Sequence, residues 1–84
     1  MKAKPHSEQT AIVTGGGTGI GRALTQALLE MGCGAVVIAS RRREILEAAA
    51  SELNARYGSR VHAYAFDIRS REQIDGLASF AEER

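Results

Sequence analysis

Hydrophobic and polar positions along this chain switch between a strand-like and a helix-like period, and the switches mark six elements. Thr10 to Thr14 is a short β-branched run that predicts a first strand. From near Gly19 the spacing becomes three and four, with apolar or small residues at Ile20, Ala23, Leu24, Ala27, Leu28 and Met31. That spacing predicts a helix whose buried face carries those six side chains. Gly32 is placed to stop it in the left-handed conformation. Ala35 to Ala39, Ala-Val-Val-Ile-Ala, is apolar without alternation, the pattern of a strand buried on both faces of a parallel sheet. A polar, basic turn from Ser40 to Arg43 leads into a second helix ending near Tyr57, with Ile45, Leu46, Ala49, Ala50 and Leu53 inward and Gly58 as its stop. Val61 to Phe66 predicts a third strand. Ser70 with Gln73 three residues on is a capping-box opening for a third helix, with Ile74, Leu77, Ala78 and Ala81 on its apolar face and only the start of its return before Arg84.

The order is βαβαβα, which predicts an α/β unit with a three-stranded parallel sheet in the order 3-2-1 and right-handed crossovers. Residues 1–9 have almost nothing to bury and predict a flexible arm, so residues 10–84 form the folded part. Helices one and two then share one face of the sheet. The other face and the edge of strand one are expected to be uncovered, open to further chain or to self-association.

Composition narrows the function classes. A hydrophobic content of 44% with 25% charged residues is ordinary for a globular chain and does not indicate disorder. A net charge of +1 gives no special attraction to nucleic acid or membrane surfaces. The longest apolar run, Ala35 to Ala39, is far too short to span a bilayer. A single cysteine, Cys33, suits a reducing intracellular compartment, the cytoplasm by default with an organelle left open. The arm carries Lys2, Lys4, Pro5 and His6 but no apolar signal segment, and His6 has no second ligand beside it.

Candidate chemistry begins where strand one meets helix one, in Thr14-Gly15-Gly16-Gly17-Thr18-Gly19-Ile20-Gly21. Strand, glycine turn and helix in this order build an anion site: backbone amides are free, the helix contributes its positive end, and missing Cβ atoms admit a pyrophosphate. Spacing separates three glycine motifs. The strict Gly-x-Gly-x-x-Gly fingerprint fails at Ile20 and at Arg22, and the P-loop pattern fails at Arg22 and Ala23, where Lys and Ser/Thr are required. The pattern Thr-Gly-x-x-x-Gly-x-Gly fits at every fixed position, Thr14, Gly15, Gly19 and Gly21.

With that motif the chain resembles the short-chain dehydrogenase/reductase family, and specifically its N-terminal NAD(P)-binding portion of Rossmann type, incomplete relative to a full doubly wound domain. The resemblance implies cofactor contacts from Thr14, Gly15, Gly17, Thr18, Gly19, Ile20 and Gly21. It also implies that Asp67, ending strand three, accepts from the adenine amino group while Ile68 packs on the ring. Gly32-Cys33, Val37 to Arg41 and Gly58 to Ala63 look most like 2,4-dienoyl- and enoyl-coenzyme A reductases, which implies NADPH-dependent reduction of fatty acyl-CoA double bonds.

Cofactor choice is legible after strand two. In dinucleotide folds a carboxylate about 20 positions past the glycines binds the ribose of NAD. Here Ser40 stands 19 positions after Gly21, followed by Arg41. A hydroxyl and a guanidinium suit the 2′-phosphate, so NADP(H) is expected over NAD(H). Arg43 is assigned instead to a pair with Glu47, four residues on.

The resemblance also implies a catalytic Tyr-x-x-x-Lys, in which the lysine lowers the tyrosine pKa. Tyr57 is followed at that spacing by Val61 and Tyr64 by Ile68, and Lys2 and Lys4 are the only lysines. No catalytic residue is therefore assigned and no metal site is expected. Alternative readings are a non-catalytic nucleotide-binding or interaction module and a truncated product without function.

Overall fold

The computed structural model describes residues 8–15, 17–67 and 69–84. Six elements alternate: β1 (Thr10–Thr14), α1 (Gly19–Glu30), β2 (Ala35–Ser40), α2 (Arg43–Tyr57), β3 (Val61–Ala65) and α3 (Arg71–Glu82). The strands form one parallel sheet in the order β1-β2-β3, with Val13 opposite Ile38 and Ile38 opposite Ala63. This is the expected α/β architecture. Of the expected arm, residues 1–7, including His6, lie outside the described residues.

β2 is central, and its run from Ala35 to Ala39 is buried throughout. Alternation divides the core in two. Val36 and Ile38 pack with Val13, Leu29, Leu46, Ala49 and Leu53 under α1 and α2. Val37 and Ala39 pack with Phe66, Leu77 and Ala81 under α3. Both faces of β2 are thus covered. The third helix is no mere beginning: it runs 12 residues and returns as far as β1.

α1 corrects the expected burial. Thr25 and Leu29 are its buried residues, whereas Ile20 is 90%, Met31 62% and Leu24 49% exposed, and Ala23 and Ala27 are exposed too. Only Leu28 of the expected face is partly buried against the core. Apolar residues occur on more than one side of this helix, so spacing could not say which side meets the sheet. The side chosen includes a threonine because Thr25 Oγ1 donates to Gly21 O at 2.8 Å, leaving no unsatisfied hydroxyl. On α3, Leu77 and Ala81 are inward as expected, while Ile74 and Ala78 are exposed.

Helix ends follow local chemistry. Gly32 (φ +94°) and Gly58 (φ +82°) carry the chain out of α1 and α2 through the left-handed region. The Arg60 guanidinium donates to Leu29 O (2.8 Å) and Cys33 O (2.5 Å), cations that the negative end of α1 favours. α1 and α2 are joined by Arg22 and Glu52 (2.5 Å), and Arg43 pairs with Glu47 at 3.9 Å on the surface of α2.

Candidate functional site

The C-terminal ends of β1 and β2 open onto the glycine turn. Gly15 leaves β1 at φ +70° and donates its N–H to Ala39 O at 2.7 Å, which fastens the turn to β2. Gly19, at φ +55°, starts α1. These two positions need glycine for backbone conformation. Gly17 needs it for space: a Cβ there would lie 3.0 Å from Ile45 Cγ2 of α2. Gly16 lies outside the described residues.

Thr18 is the extended N-cap of α1, without a side-chain capping bond, and no acidic residue occupies the first turn. The first intrahelical bond is Arg22 N–H to Thr18 O at 3.2 Å. The amides of Gly19, Ile20 and Gly21 precede it and have no acceptor within the helix, so the positive end of α1 is open to an anion.

Beside the turn lies a cavity of 480 Å³. Six expected residues line it: Thr14, Gly15, Gly17, Thr18, Ser40 and Arg41. Ala39, Arg42, Ile45 and Phe66 complete its wall, and no Asp or Glu lines it among the described residues. The Arg42 N–H donates to Ser40 Oγ at 3.3 Å, which leaves the Ser40 hydroxyl proton free to donate elsewhere. Gly19, Ile20 and Gly21 are not in this wall. Ile20 points outward at 90% exposure.

Asp67 follows Phe66 past the end of β3. Its Oδ1 accepts from Arg69 N–H (2.9 Å) and Nε (3.2 Å), and its Oδ2 from an Arg69 terminal nitrogen (3.0 Å). These bonds, aided by the charge of Arg41, hold the Asp67 carboxyl below the usual aspartate range. The Asp67 N–H donates to Gln73 Oε1 at 2.6 Å. Gln73 thus does not complete a reciprocal capping box: Ser70 Oγ accepts from the Gln73 N–H (3.3 Å), while the Gln73 side chain serves Asp67. Ile68, expected beside an adenine ring, lies outside the described residues.

Sequence reasoning missed Ile45, Arg42 and Phe66 in the cavity wall and Arg69 on Asp67. Ile45 was placed inward on α2 by its period, and nothing in a linear pattern says that inward includes the underside of a glycine turn. Tyr57 and Tyr64 are elsewhere: Tyr57 O–H donates to Glu30 at 2.6 Å, and Tyr64 packs on Phe66 and Phe80. A larger groove of 880 Å³ runs along the β1 edge, away from the glycine turn.

The profile of the short chain dehydrogenase family matches residues 9–84, and the chain belongs to that family. It is 43% identical over 68 residues to peroxisomal 2,4-dienoyl-CoA reductase of Danio rerio, a match covering 81% of this chain and 22% of that protein. Among solved structures, an NADPH-bound short chain oxidoreductase of Pseudomonas aeruginosa PAO1 with an atypical catalytic center is similar at 41% identity and a TM-score of 0.83, over 92% of this chain and 30% of that one. L-Sorbose reductase of Gluconobacter frateurii, complexed with NADPH and L-sorbose, matches at 28% identity and a TM-score of 0.81, over 89% of this chain and 28% of that one. The chain spans less than a third of the length of each of these relatives. No helix among the described residues is long and apolar enough to cross a membrane.

Proposed function

We propose that this chain is the NADP(H)-binding portion of a short-chain dehydrogenase/reductase oxidoreductase. The observation that carries the reading is the 480 Å³ cavity, which joins the glycine turn to Ser40, Arg41 and Arg42 without a carboxylate in its wall. In this reading the amides at the start of α1 receive the pyrophosphate, and Gly15, Gly17 and Thr18 let it approach. Ser40 donates to the 2′-phosphate while Arg41 supplies a charge-assisted bond. Asp67, an acceptor-only anion, receives the adenine amino group. NADPH-bound family members with similar folds support this assignment.

The nicotinamide supplies hydride when bound, and this chain positions the cofactor without adding proton-transfer groups. Its lysines are Lys2 and Lys4 alone, neither four residues after a tyrosine. The likeness to a dienoyl-CoA reductase supports fatty enoyl- or dienoyl-CoA as the substrate class of the whole enzyme. Calorimetric titration with NADPH tests the site. Gly19→Val and Gly21→Val put a branched side chain where pyrophosphate and helix must meet, so binding should be lost. Unchanged affinity in either variant would place the cofactor elsewhere.

A further inference from the structure

Arg41 and Asp67 leave the sheet side by side. β2 and β3 are parallel with Ser40 opposite Ala65, and the Phe66 N–H donates to Ser40 O at 2.9 Å. Arg41 and Asp67 are the next residues on these two neighbouring strands. They are close enough for the charge of Arg41 to act on the Asp67 carboxyl. A guanidinium and a carboxylate so placed are natural partners for an ion pair. Yet among the described residues the ion pairs include none for Arg41, and Asp67 is taken by Arg69 instead.

Arg69 uses most of what that carboxylate can accept. An ionised carboxylate offers about four acceptor positions. Arg69 fills two on Oδ1, with its backbone N–H at 2.9 Å and Nε at 3.2 Å, and one on Oδ2, with a terminal nitrogen at 3.0 Å. A single position on Oδ2 is left, enough for one N–H of an adenine amino group. The backbone of Asp67 is engaged as well: its N–H donates to Gln73 Oε1 at 2.6 Å and its C=O accepts from Ser70 N–H at 2.9 Å. The carboxylate is therefore neutralised and fixed in direction. An ion pair with a side chain as exposed as that of Arg69, 76%, contributes little to stability. Its larger effect falls on Arg41, which lines the glycine-turn cavity beside Ser40.

We propose that Arg69 is a positioning residue for NADP(H): by holding Asp67 it keeps Arg41 free for the 2′-phosphate and removes a bare negative charge from beside that phosphate. The inference rests on the cofactor reading above and deepens it, by adding to Ser40 and Arg41 a residue that sets the preference without touching the cofactor. Without Arg69, Asp67 would draw Arg41 across the two strand ends and would itself repel the phosphate. Both effects fall on NADPH and spare NADH, which has no 2′-phosphate. The adenine assigned to Asp67 is common to the two cofactors. The ratio of their affinities therefore isolates the charge effect from the adenine contact.

Calorimetric titration of the chain with NADPH and with NADH, before and after Arg69→Gln, tests this. Arg69→Gln alters an exposed side chain and should leave the circular dichroism unchanged. Should it unfold the chain, Arg69→Met carries the same test. The affinity ratio of NADPH to NADH should fall on the order of fivefold, the scale of a strong exposed charge pair. Adding Asp67→Asn to Arg69→Gln should restore the ratio, because it removes the charge that Arg69 was holding. A purely structural role for Arg69 has a different signature, in which both cofactors weaken together and the ratio stands. A ratio untouched by the loss of Arg69, or a fall that Asp67→Asn does not reverse, would overturn the proposal and leave the cofactor reading in place. An unmutated chain that binds NADPH no better than NADH would overturn that reading, and the proposal with it.

Discussion

Arg69 grips both carboxylate oxygens of Asp67 from two residues away, with its backbone N–H on Oδ1 at 2.9 Å and its guanidinium on Oδ2 at 3.0 Å. Gln73 holds the same aspartate from the other side, accepting its backbone N–H at 2.6 Å. The turn after β3 and the first turn of α3 are thereby one hydrogen-bonded unit. Its consequence is a carboxyl held below the usual aspartate range, an acceptor-only anion at neutral pH.

The pH dependence of that aspartate is the first expected outcome. Asp67 is depressed in the folded chain relative to the unfolded one, chiefly by the Arg69 side-chain bonds and then by the Arg69 N–H. Its contribution to stability is therefore present above the ordinary aspartate pKa and is lost as pH falls through the lower folded value. A carboxyl carbon titration by NMR should find Asp67 below the ordinary value, and Arg69→Gln should bring it back. An Asp67 that titrates identically in both proteins would refute the pairing.

Gly17 and Ile45 give a second test, by thermal or denaturant unfolding. Gly17→Ala presses a methyl group against Ile45 Cγ2 at 3.0 Å and should cost on the order of 1–3 kcal/mol, as small-to-large changes in packed sites do. In an Ile45→Ala background the same substitution should cost little. Additive effects of the two substitutions would show that the turn does not rest on α2.

A third expectation inverts the usual rule for glycine in a helix. Gly→Ala within a helix normally stabilises by about 1 kcal/mol. In α3, however, a Cβ at Gly76 would strike the Tyr64 hydroxyl. Gly76→Ala should therefore destabilise the chain, and in a Tyr64→Phe background it should become neutral or stabilising. Stabilisation by Gly76→Ala alone would mean that Tyr64 does not lie over α3.

The architecture was legible because β2 announces its burial: five consecutive apolar residues, three of them β-branched and set between a glycine and a polar turn, read as a strand covered on both sides, and the flanking periods supply the covering helices. The pocket was half legible. Thr14, Gly15, Gly17 and Thr18 are neighbours in sequence, as are Ser40 and Arg41, and the parallel pairing of β1 with β2 brings the two groups to one end of the sheet. Ile45 and Phe66 reach the same cavity through tertiary packing, which no local spacing encodes. α1 was misread for a related reason. Its buried line, Thr25 and Leu29, depends on how the helix rolls against β1, β2 and α2, and Thr25 is admitted only because Gly21 O takes its proton.

The central claim, that the glycine-turn cavity with Ser40 and Arg41 takes NADP(H), is tested most directly by comparing NADPH and NADH affinity in one calorimetric experiment, before and after Arg41→Ala. NADPH should bind more tightly to the unmutated chain. Arg41→Ala should remove most of that difference, on the order of 1.5–3 kcal/mol for a hydrogen bond to a charged group, while leaving NADH affinity nearly unchanged. Equal affinity for the two cofactors in the unmutated chain, or a preference that survives Arg41→Ala intact, would contradict the account.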